Sequence, residues 1–115
     1  MRGIFVTATD TGVGKTEVAC ALLRNARAAG LDAVGMKPAQ SGAVEGEPSD
    51  AERLVDAADG AEPLAEVCPY SLGAPLAPAV AARLEGVEIS FARIVDGARA
   101  LAARHAALPD SEPDR

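Results

Sequence analysis

The feature that most constrains the fold of this sequence is a short apolar run that breaks into a glycine-containing loop and then into a helix. Residues 4–7 are apolar and β-branched, which predicts a strand. After residues 8–16, apolar residues recur at spacings of three and four, which predicts a helix that ends near Gly30. Residues 33–36 predict a second strand, and such a unit has parallel strands. The helix residues predicted to face the core are Val18, Ala19, Leu22, Leu23 and Ala26.

The loop between strand and helix ends in Gly14, Lys15 and Thr16. This order is typical of a Walker A loop, in which backbone N–H groups bind phosphates, the lysine reaches the β and γ oxygens and the hydroxyl binds Mg²⁺. The usual motif has a further glycine where this chain has Thr9. The strand, loop and helix context predicts phosphate binding; the alternative is a tight turn without a ligand.

Two later residues are placed near the same sheet edge. Lys37 follows the second predicted strand, and Asp50 begins the next predicted helix. Ligands of open parallel sheets bind outside the carboxyl ends of the strands, and Mg²⁺ on a triphosphate takes one or two protein carboxylates. Lys37 is therefore a candidate for contacting the phosphates, and Asp50 is a candidate metal ligand. The alternatives are a solvated lysine and a carboxylate that only stabilises the first helical turn.

The remaining chain alternates loops and helices without a third strand. Residues 38–48 form a predicted loop long enough to hold substrate, and Ser41 is a candidate only by its place there. His105 is expected at the surface near a helix end. Further predicted elements are a helix from the capping box at 49–52 to about Gly60, an extended piece at 67–70, a helix at 79–84 closed by Gly86, a helix from Ser90 through Ala107, and a disordered acidic tail at 108–115.

Length and composition limit the class of protein. A chain of 115 residues with 49% hydrophobic residues predicts one globular domain. Its net charge of −6 at pH 7 opposes binding to nucleic acid or to an anionic membrane surface. No apolar run approaches the roughly 20 residues of a membrane span, and the start turns polar too early for a signal peptide, so a cytoplasmic location is expected. Cys20 and Cys68 are expected to be buried free thiols.

Several of these segments together resemble one family, the ATP-dependent dethiobiotin synthetases of biotin synthesis. They are residues 9–16, 35–38, 41–42 and 49–50, with weaker matches at 69–70, 75, 78 and 84–86. The resemblance implies an α/β fold, a P-loop NTPase-like parallel sheet with flanking helices. It also implies that 7,8-diaminononanoate, CO₂ and ATP with Mg²⁺ are converted into dethiobiotin, ADP and phosphate. Family members are homodimers whose diamine site lies at the subunit interface.

Roles are carried over only to matching positions. The resemblance implies that the phosphates are held by Gly12, Val13, Gly14, Lys15, Thr16 and Glu17, with Thr11 against them. It implies that Thr16 and Asp50 bind Mg²⁺, that Asp50 also contacts nucleotide, and that Ser41 contacts the carbamate or the diamine. The resemblance implies catalytic roles for Lys37 and Lys15, which stabilise the transferred phosphoryl group, and for Thr11, which lies against the phosphates.

The chain also departs from the family pattern. Ala8, Ala77 and Ala79 replace residues that are more often Gly, Ser and His in the family. Beyond Ala107 the family continues into a strand and a glutamate motif that supplies a second Mg²⁺ carboxylate, whereas this chain reads Leu-Pro-Asp-Ser. We therefore expect residues 1–107 to be the N-terminal part of a truncated synthetase domain that does not turn over by itself. The alternatives are a cobyrinate-type P-loop synthetase and a non-catalytic nucleotide-binding remnant; a partitioning ATPase is disfavoured by Asp10.

Overall fold

The computed structural model describes Gly3, Val6 and residues 14–42 and 46–105. Over these residues, helices pack around a small parallel sheet, in agreement with the α/β class predicted from the sequence. None of the described helices has the length and apolar character required to cross a membrane. The elements, in chain order, are α1 Lys15–Ala28, β1 Ala39–Ser41, α2 Asp50–Ala57, α3 Leu64–Val67, β2 Tyr70–Leu72, α4 Pro78–Glu85 and α5 Phe91–Arg104.

Helix α1 begins after Gly14 and ends before Gly30, as predicted. Gly30 has a φ of 91°, and the N–H of Leu31 donates to the carbonyl of Ala26 at 3.0 Å, which is the Schellman arrangement. The predicted inward face is partly wrong. Cys20 and Leu23 are buried, but Val18 and Leu22 are 53% and 42% exposed, because the core that α1 shares with α2 and α3 covers one side of the helix.

The position of the second predicted strand is also wrong. Among the described residues, 33–36 join no strand ladder, and the strand β1 follows them. A strand requires a partner, and β2 is the partner that the described chain supplies: Ala39 lies opposite Tyr70, and Ser41 opposite Leu72. The predicted first strand, residues 4–7, lies outside the described residues except for Val6, which is in no strand.

Helix α2 confirms the predicted capping box. The Ser49 hydroxyl accepts the N–H of Glu52 at 3.1 Å, and the Glu52 carboxylate accepts the N–H of Ser49 at 2.7 Å. The helix ends at Ala57, and Asp59 rather than Gly60 takes the first left-handed position after it, with φ of 57°. Helices α1, α2 and α3 share the main core, formed by Cys20, Leu23, Ala51, Leu54, Ala57, Val67 and Cys68.

Helices α4 and α5 lie where the sequence predicts them, within a few residues. Pro78 opens α4 and Gly86, with φ of 71°, closes it. Ser90 caps α5 by accepting the N–H of Arg93 at 3.2 Å. Helix α5 ends at Arg104 with His105 as its C-cap, so the predicted helix is too long at His105, and residues 106–107 lie outside the described residues. A second, smaller core of Leu72, Ala81 and Ala82 lies between β2 and α4.

The surface position predicted for His105 is wrong. Its side chain is 12% exposed and lies between the carboxylates of Asp32 and Glu62. The prediction fails because both carboxylates are distant in sequence and are brought to the end of α5 only by folding. Both cysteines are buried free thiols, as expected. Burial raises the pKa of Cys68. The predicted tail at 108–115 lies outside the described residues.

Candidate functional site

The first part of the candidate site is the N-terminus of α1. Gly14 precedes the helix with φ of 86°, a left-handed conformation that a side chain at this position would strain. A glycine also supplies no side-chain acceptor for the N–H groups of the first turn, which are the groups that bind an anion at a helix N-terminus. Lys15 and Glu17 are exposed there and Thr16 is half-buried. Thr11, Gly12 and Val13 lie outside the described residues.

The second part is an ion pair between two residues that the sequence singled out separately. Lys37 Nζ lies 3.5 Å from Asp50 Oδ2, and the two side chains are 27% and 44% exposed. Asp50 is in the first turn of α2, but the cap of that helix is made by Ser49 and Glu52. The Asp50 carboxylate therefore contacts Lys37, while Ser49 and Glu52 satisfy the N–H groups at the helix end. This weakens the alternative that Asp50 only stabilises the first turn of α2.

The backbone around Lys37 is held from two sides. The Lys37 N–H donates to the carbonyl of Val67 at 2.9 Å, and the carbonyl of Pro38 accepts the N–H of Tyr70 at 3.3 Å. Just before it, an ideal Cβ on Gly35 would lie 3.1 Å from a Leu23 methyl carbon and 3.3 Å from one of Leu54. Gly35 thus lets the chain pass close to both α1 and α2 on its way to Lys37. This role of Gly35 is not evident from the sequence, in which the residue lies in a segment predicted to be a strand.

Gln40 is a second residue that the sequence analysis missed. It lies in the middle of β1 with 8% of its surface exposed. Its Oε1 accepts the N–H of Ala51 at 3.1 Å, and its Nε2 donates to the Ser71 hydroxyl at 3.1 Å. Ala51 directly follows Asp50, so Gln40 connects the strand that follows Lys37 to the helix turn that carries Asp50. A polar residue inside a three-residue strand was the signal that could have revealed it.

Ser41 lies at the end of β1 and is half-buried. Its hydroxyl donates to the carbonyl of Leu76, so it is already used within the protein and can offer a ligand only its acceptor lone pairs. The next residue, Gly42, has φ of 71°, and a Cβ there would lie 3.0 Å from Pro75 Cα. The loop before α4 therefore packs directly against the end of this strand.

The candidates thus form separate groups in the described part of the chain. Lys37 and Asp50 are in contact, while none of Lys15, Thr16 or Glu17 makes a hydrogen bond or ion pair with either of them. Lys15 and Lys37 are the two lysines of the sequence. Two shallow surface depressions, of about 640 and 260 Å³, lie elsewhere, and none of the candidate residues lines them. The first is lined by Glu52, Val55, Asp56, Asp59, Gly60 and Leu64, the second by Arg24, Arg27, Ala28, Ala57 and Asp59.

Comparison with known proteins agrees with this fold and with the loop motif. The profile of the family described as AAA domain matches residues 2–108, and the chain belongs to that family. It is therefore a P-loop protein of the α/β class.

Within that class the chain is similar to curated dethiobiotin synthetases, which confirms the resemblance seen in the sequence. It is 78% identical over 108 residues to the ATP-dependent dethiobiotin synthetase BioD of Anaeromyxobacter dehalogenans strain 2CP-1, covering 94% of this chain and 48% of that protein. It is 47% identical over 90 residues to the BioD of Nitrosospira multiformis, covering 78% of this chain and 40% of that protein. The chain spans about half the length of the curated relatives it matches.

Proposed function

We propose that this chain is the phosphate-binding part of an ATP-dependent dethiobiotin synthetase. The reaction carboxylates 7,8-diaminononanoate with CO₂, phosphorylates the carbamate and closes the ureido ring. The observation that carries the proposal is the contact of Lys37 with Asp50, 3.5 Å apart, in a chain of this family. This contact places a cation that can neutralise a phosphoryl group, Lys37, beside a carboxylate that can bind the accompanying metal ion, Asp50.

The phosphates are assigned to the loop that ends at α1. Gly12, Val13, Gly14, Lys15, Thr16 and Glu17 hold them in this proposal, and Thr11 lies against them. The left-handed Gly14 and the uncapped first turn of α1 support the assignment, since backbone N–H groups and the helix dipole favour an anion there.

The role assigned to Lys37 is to stabilise the negative charge that develops on the transferred phosphoryl group. Phosphoryl transfer depends mainly on positioning and on neutralising charge on the transferred group, and the charge of a lysine side chain that is 27% exposed is screened less than that of a fully solvated one. The Asp50 carboxylate lies 3.5 Å from the Lys37 ammonium group. A bound triphosphate would compete for Lys37 and leave the Asp50 carboxylate for the metal ion.

Mg²⁺ fits the donor set. The Thr16 hydroxyl and the Asp50 carboxylate are oxygen donors, which Mg²⁺ prefers, and Mg²⁺ commonly takes one or two protein groups together with phosphate and water. Among residues 14–42 and 46–105 there is no cluster of three or more His, Cys, Asp and Glu residues that could hold a metal ion. The proposed site therefore needs phosphate and water as further ligands. When bound, Mg²⁺ would neutralise phosphate charge.

Three further assignments complete the proposal. Ser41 contacts the carbamate or the diamine through its acceptor lone pairs, since its proton is donated to Leu76. The enzyme is a homodimer, as the sequence resemblance implies. Its location is cytoplasmic, which the two buried free thiols support because disulfides are rare in reducing compartments.

A second candidate is nucleotide binding without turnover. It is supported by the left-handed Gly14 and the uncapped first turn of α1, which favour binding of a phosphate whether or not the phosphate is then transferred. Phosphate release that depends on diaminononanoate separates the two candidates, because only the synthetase shows it.

Amine-specific labelling tests the nucleotide site directly. Because the sequence has only Lys15 and Lys37, an amine-reactive ester modifies two side chains that peptide mass spectrometry resolves. We expect MgATP to protect both lysines and MgAMP, which lacks the β and γ phosphates, to protect them much less. The Lys15→Ala variant should lose protection of Lys37, whereas Arg83→Ala, an exposed charge on α4, should retain it. Equal labelling with and without MgATP would refute the assignment.

A further inference from the structure

The C-terminal end of α5 is attached to the body of the protein through one histidine and two carboxylates. His105 Nε2 lies 2.6 Å from Glu62 Oε2, and Nδ1 lies 2.9 Å from Asp32 Oδ2. Glu62 is in the turn between α2 and α3, and Asp32 follows α1. A single imidazole ring therefore connects three parts of the chain that are far apart in sequence.

The geometry of the ring favours one protonation state. A neutral imidazole has one N–H donor and one lone pair, so placed between two carboxylates it must direct the lone pair at one of them. Only the imidazolium ion has a proton on both nitrogens. The Nδ1 contact lies outside hydrogen-bond geometry, so its attraction depends on the charge of the ring more than on an aligned donor.

The surrounding charges also favour the imidazolium. Arg104 donates to Glu62 at 2.8 Å from two nitrogens and to Glu66 at 3.1 Å. Arg27 contacts Asp32 at 3.4 Å and Asp59 at 3.2 Å. Four carboxylates thus face two guanidinium groups, and the ring sits against an excess of negative charge.

Among the residues that the structure describes, few other contacts hold the C-terminal end of α5. Leu101 is the buried residue of this helix, while Ile94, Val95 and Ala98 are half-buried. At the other end of the helix, the Tyr70 hydroxyl accepts the N–H of Ser90 at 2.9 Å. With so little apolar burial along the helix, the charged cluster contributes a large share of its attachment.

We propose that His105 is a pH-sensitive lock, which in its imidazolium form ties the end of α5 to Asp32 and Glu62 and which loosens when the ring loses its proton. This inference does not depend on the proposed function, because none of the residues in the lock belongs to the nucleotide site.

The pKa of His105 has the direction that the lock requires. Burial by itself lowers the pKa, but the contacts with Asp32 and Glu62 outweigh burial and raise the pKa above 6.5. A raised pKa means that the stabilisation is fully present below about 6.5 and is lost as the pH rises through the pKa of the folded protein. The attachment of the end of α5 therefore weakens as the pH rises above the pKa of His105 in the folded protein.

The titration of His105 can be measured without ambiguity, since it is the only histidine of the chain. Its ring signals are followed by NMR in the full chain from about pH 5 to about pH 9, in buffer and in concentrated urea. We expect a higher midpoint in buffer than in urea. Equal midpoints, or a lower one in buffer, would overturn the proposal.

Variants identify the cause of the shift. Asp32→Asn and Glu62→Gln should each lower the His105 midpoint in buffer, whereas Glu88→Gln, which removes an exposed charge outside the cluster, should leave it in place. If Glu62→Gln unfolds the protein, Asp32→Asn still tests the cause, since Asp32 is only partly buried. An unchanged midpoint in Asp32→Asn would exclude the two-carboxylate lock.

Stability supplies an independent readout. The urea midpoint of the parent chain should exceed that of His105→Gln at pH 6, and the difference should shrink as the pH rises toward about 9. A difference that stays constant over this range would mean that His105 acts by packing alone, and the lock would be refuted.

Discussion

Gln40 and Ala51 are joined by a buried hydrogen bond, in which the side-chain Oε1 of Gln40 accepts the backbone N–H of Ala51 at 3.1 Å. The strand that contains Gln40 begins just after Lys37, and Ala51 directly follows Asp50. The chain from 37 to 40, this hydrogen bond and the Lys37–Asp50 ion pair form a closed ring. This ring therefore keeps the two charged groups of the proposed site close together.

Replacing Gln40 with Met tests this bracing. Met is close to Gln in size but accepts no comparable hydrogen bond, so the N–H of Ala51 would be buried without a partner. We expect a loss of about 1–3 kcal/mol in the free energy of unfolding, measured by urea denaturation. Asn25→Met, at an exposed amide on α1, is the control and should change little. Equal losses in the two variants would show that the buried amide has no special role.

Replacing Gly35 with Ala tests the close passage of the chain to Lys37. The new methyl group would lie 3.1 Å from Leu23 and 3.3 Å from Leu54, which is tighter than ordinary contact. We expect a loss of about 1–3 kcal/mol from overpacking. Gly73→Ala, where the nearest atom lies at 3.7 Å, should be much milder in the same urea experiment. A Gly35→Ala protein as stable as the parent would contradict the tight packing.

Replacing Asp50 with Asn distinguishes a metal ligand from a helix-end charge. Because Ser49 and Glu52 cap α2, loss of the Asp50 charge should cost only tenths of a kcal/mol in stability. If the carboxylate binds Mg²⁺, the Mg²⁺ concentration needed for ATP binding should rise about tenfold or more. Calorimetric titration of ATP at several Mg²⁺ concentrations measures it. Glu47→Gln, an exposed loop carboxylate, serves as the control, and an unchanged Mg²⁺ dependence in Asp50→Asn would remove Asp50 from the metal site.

The lowered pKa of Glu62 predicts that the protein loses stability toward unfolding at acid pH. Hydrogen bonds from Arg104, with the contact to His105, lower the pKa of Glu62 to about 2 from its ordinary 4.5. A lowered pKa contributes stability that is present above about 4.5 and is lost as the pH falls through about 2. The difference in urea midpoint between the parent and Glu62→Gln should therefore be constant from about pH 5 to about pH 6, where His105 keeps its charge, and shrink below about pH 5. A difference that does not change with acid pH would contradict the lowered pKa.

The elements that could be predicted from the sequence are those set by residues close together in the chain. Ser49 and Glu52 are three apart and form the predicted capping box, and the glycines after α1 and α4 take the left-handed conformation expected of them. Lys37 and Asp50 were placed near one another by the general rule for parallel sheets. Such signals act over one helical turn or one strand, and tertiary packing leaves them largely unchanged.

What the sequence alone determined, then, is the four helices α1, α2, α4 and α5, the capping box of α2, and the family that the chain resembles. Only the tertiary structure decided which strand is paired, since β1 needs Tyr70–Leu72 as its partner, and which polar groups are buried together, such as Gln40 with Ser71 and His105 with Glu62. The physical reason is that a backbone hydrogen bond or a buried charge is satisfied by whatever partner folding brings to it. No periodicity or local motif within the chain specifies a partner that lies tens of residues away.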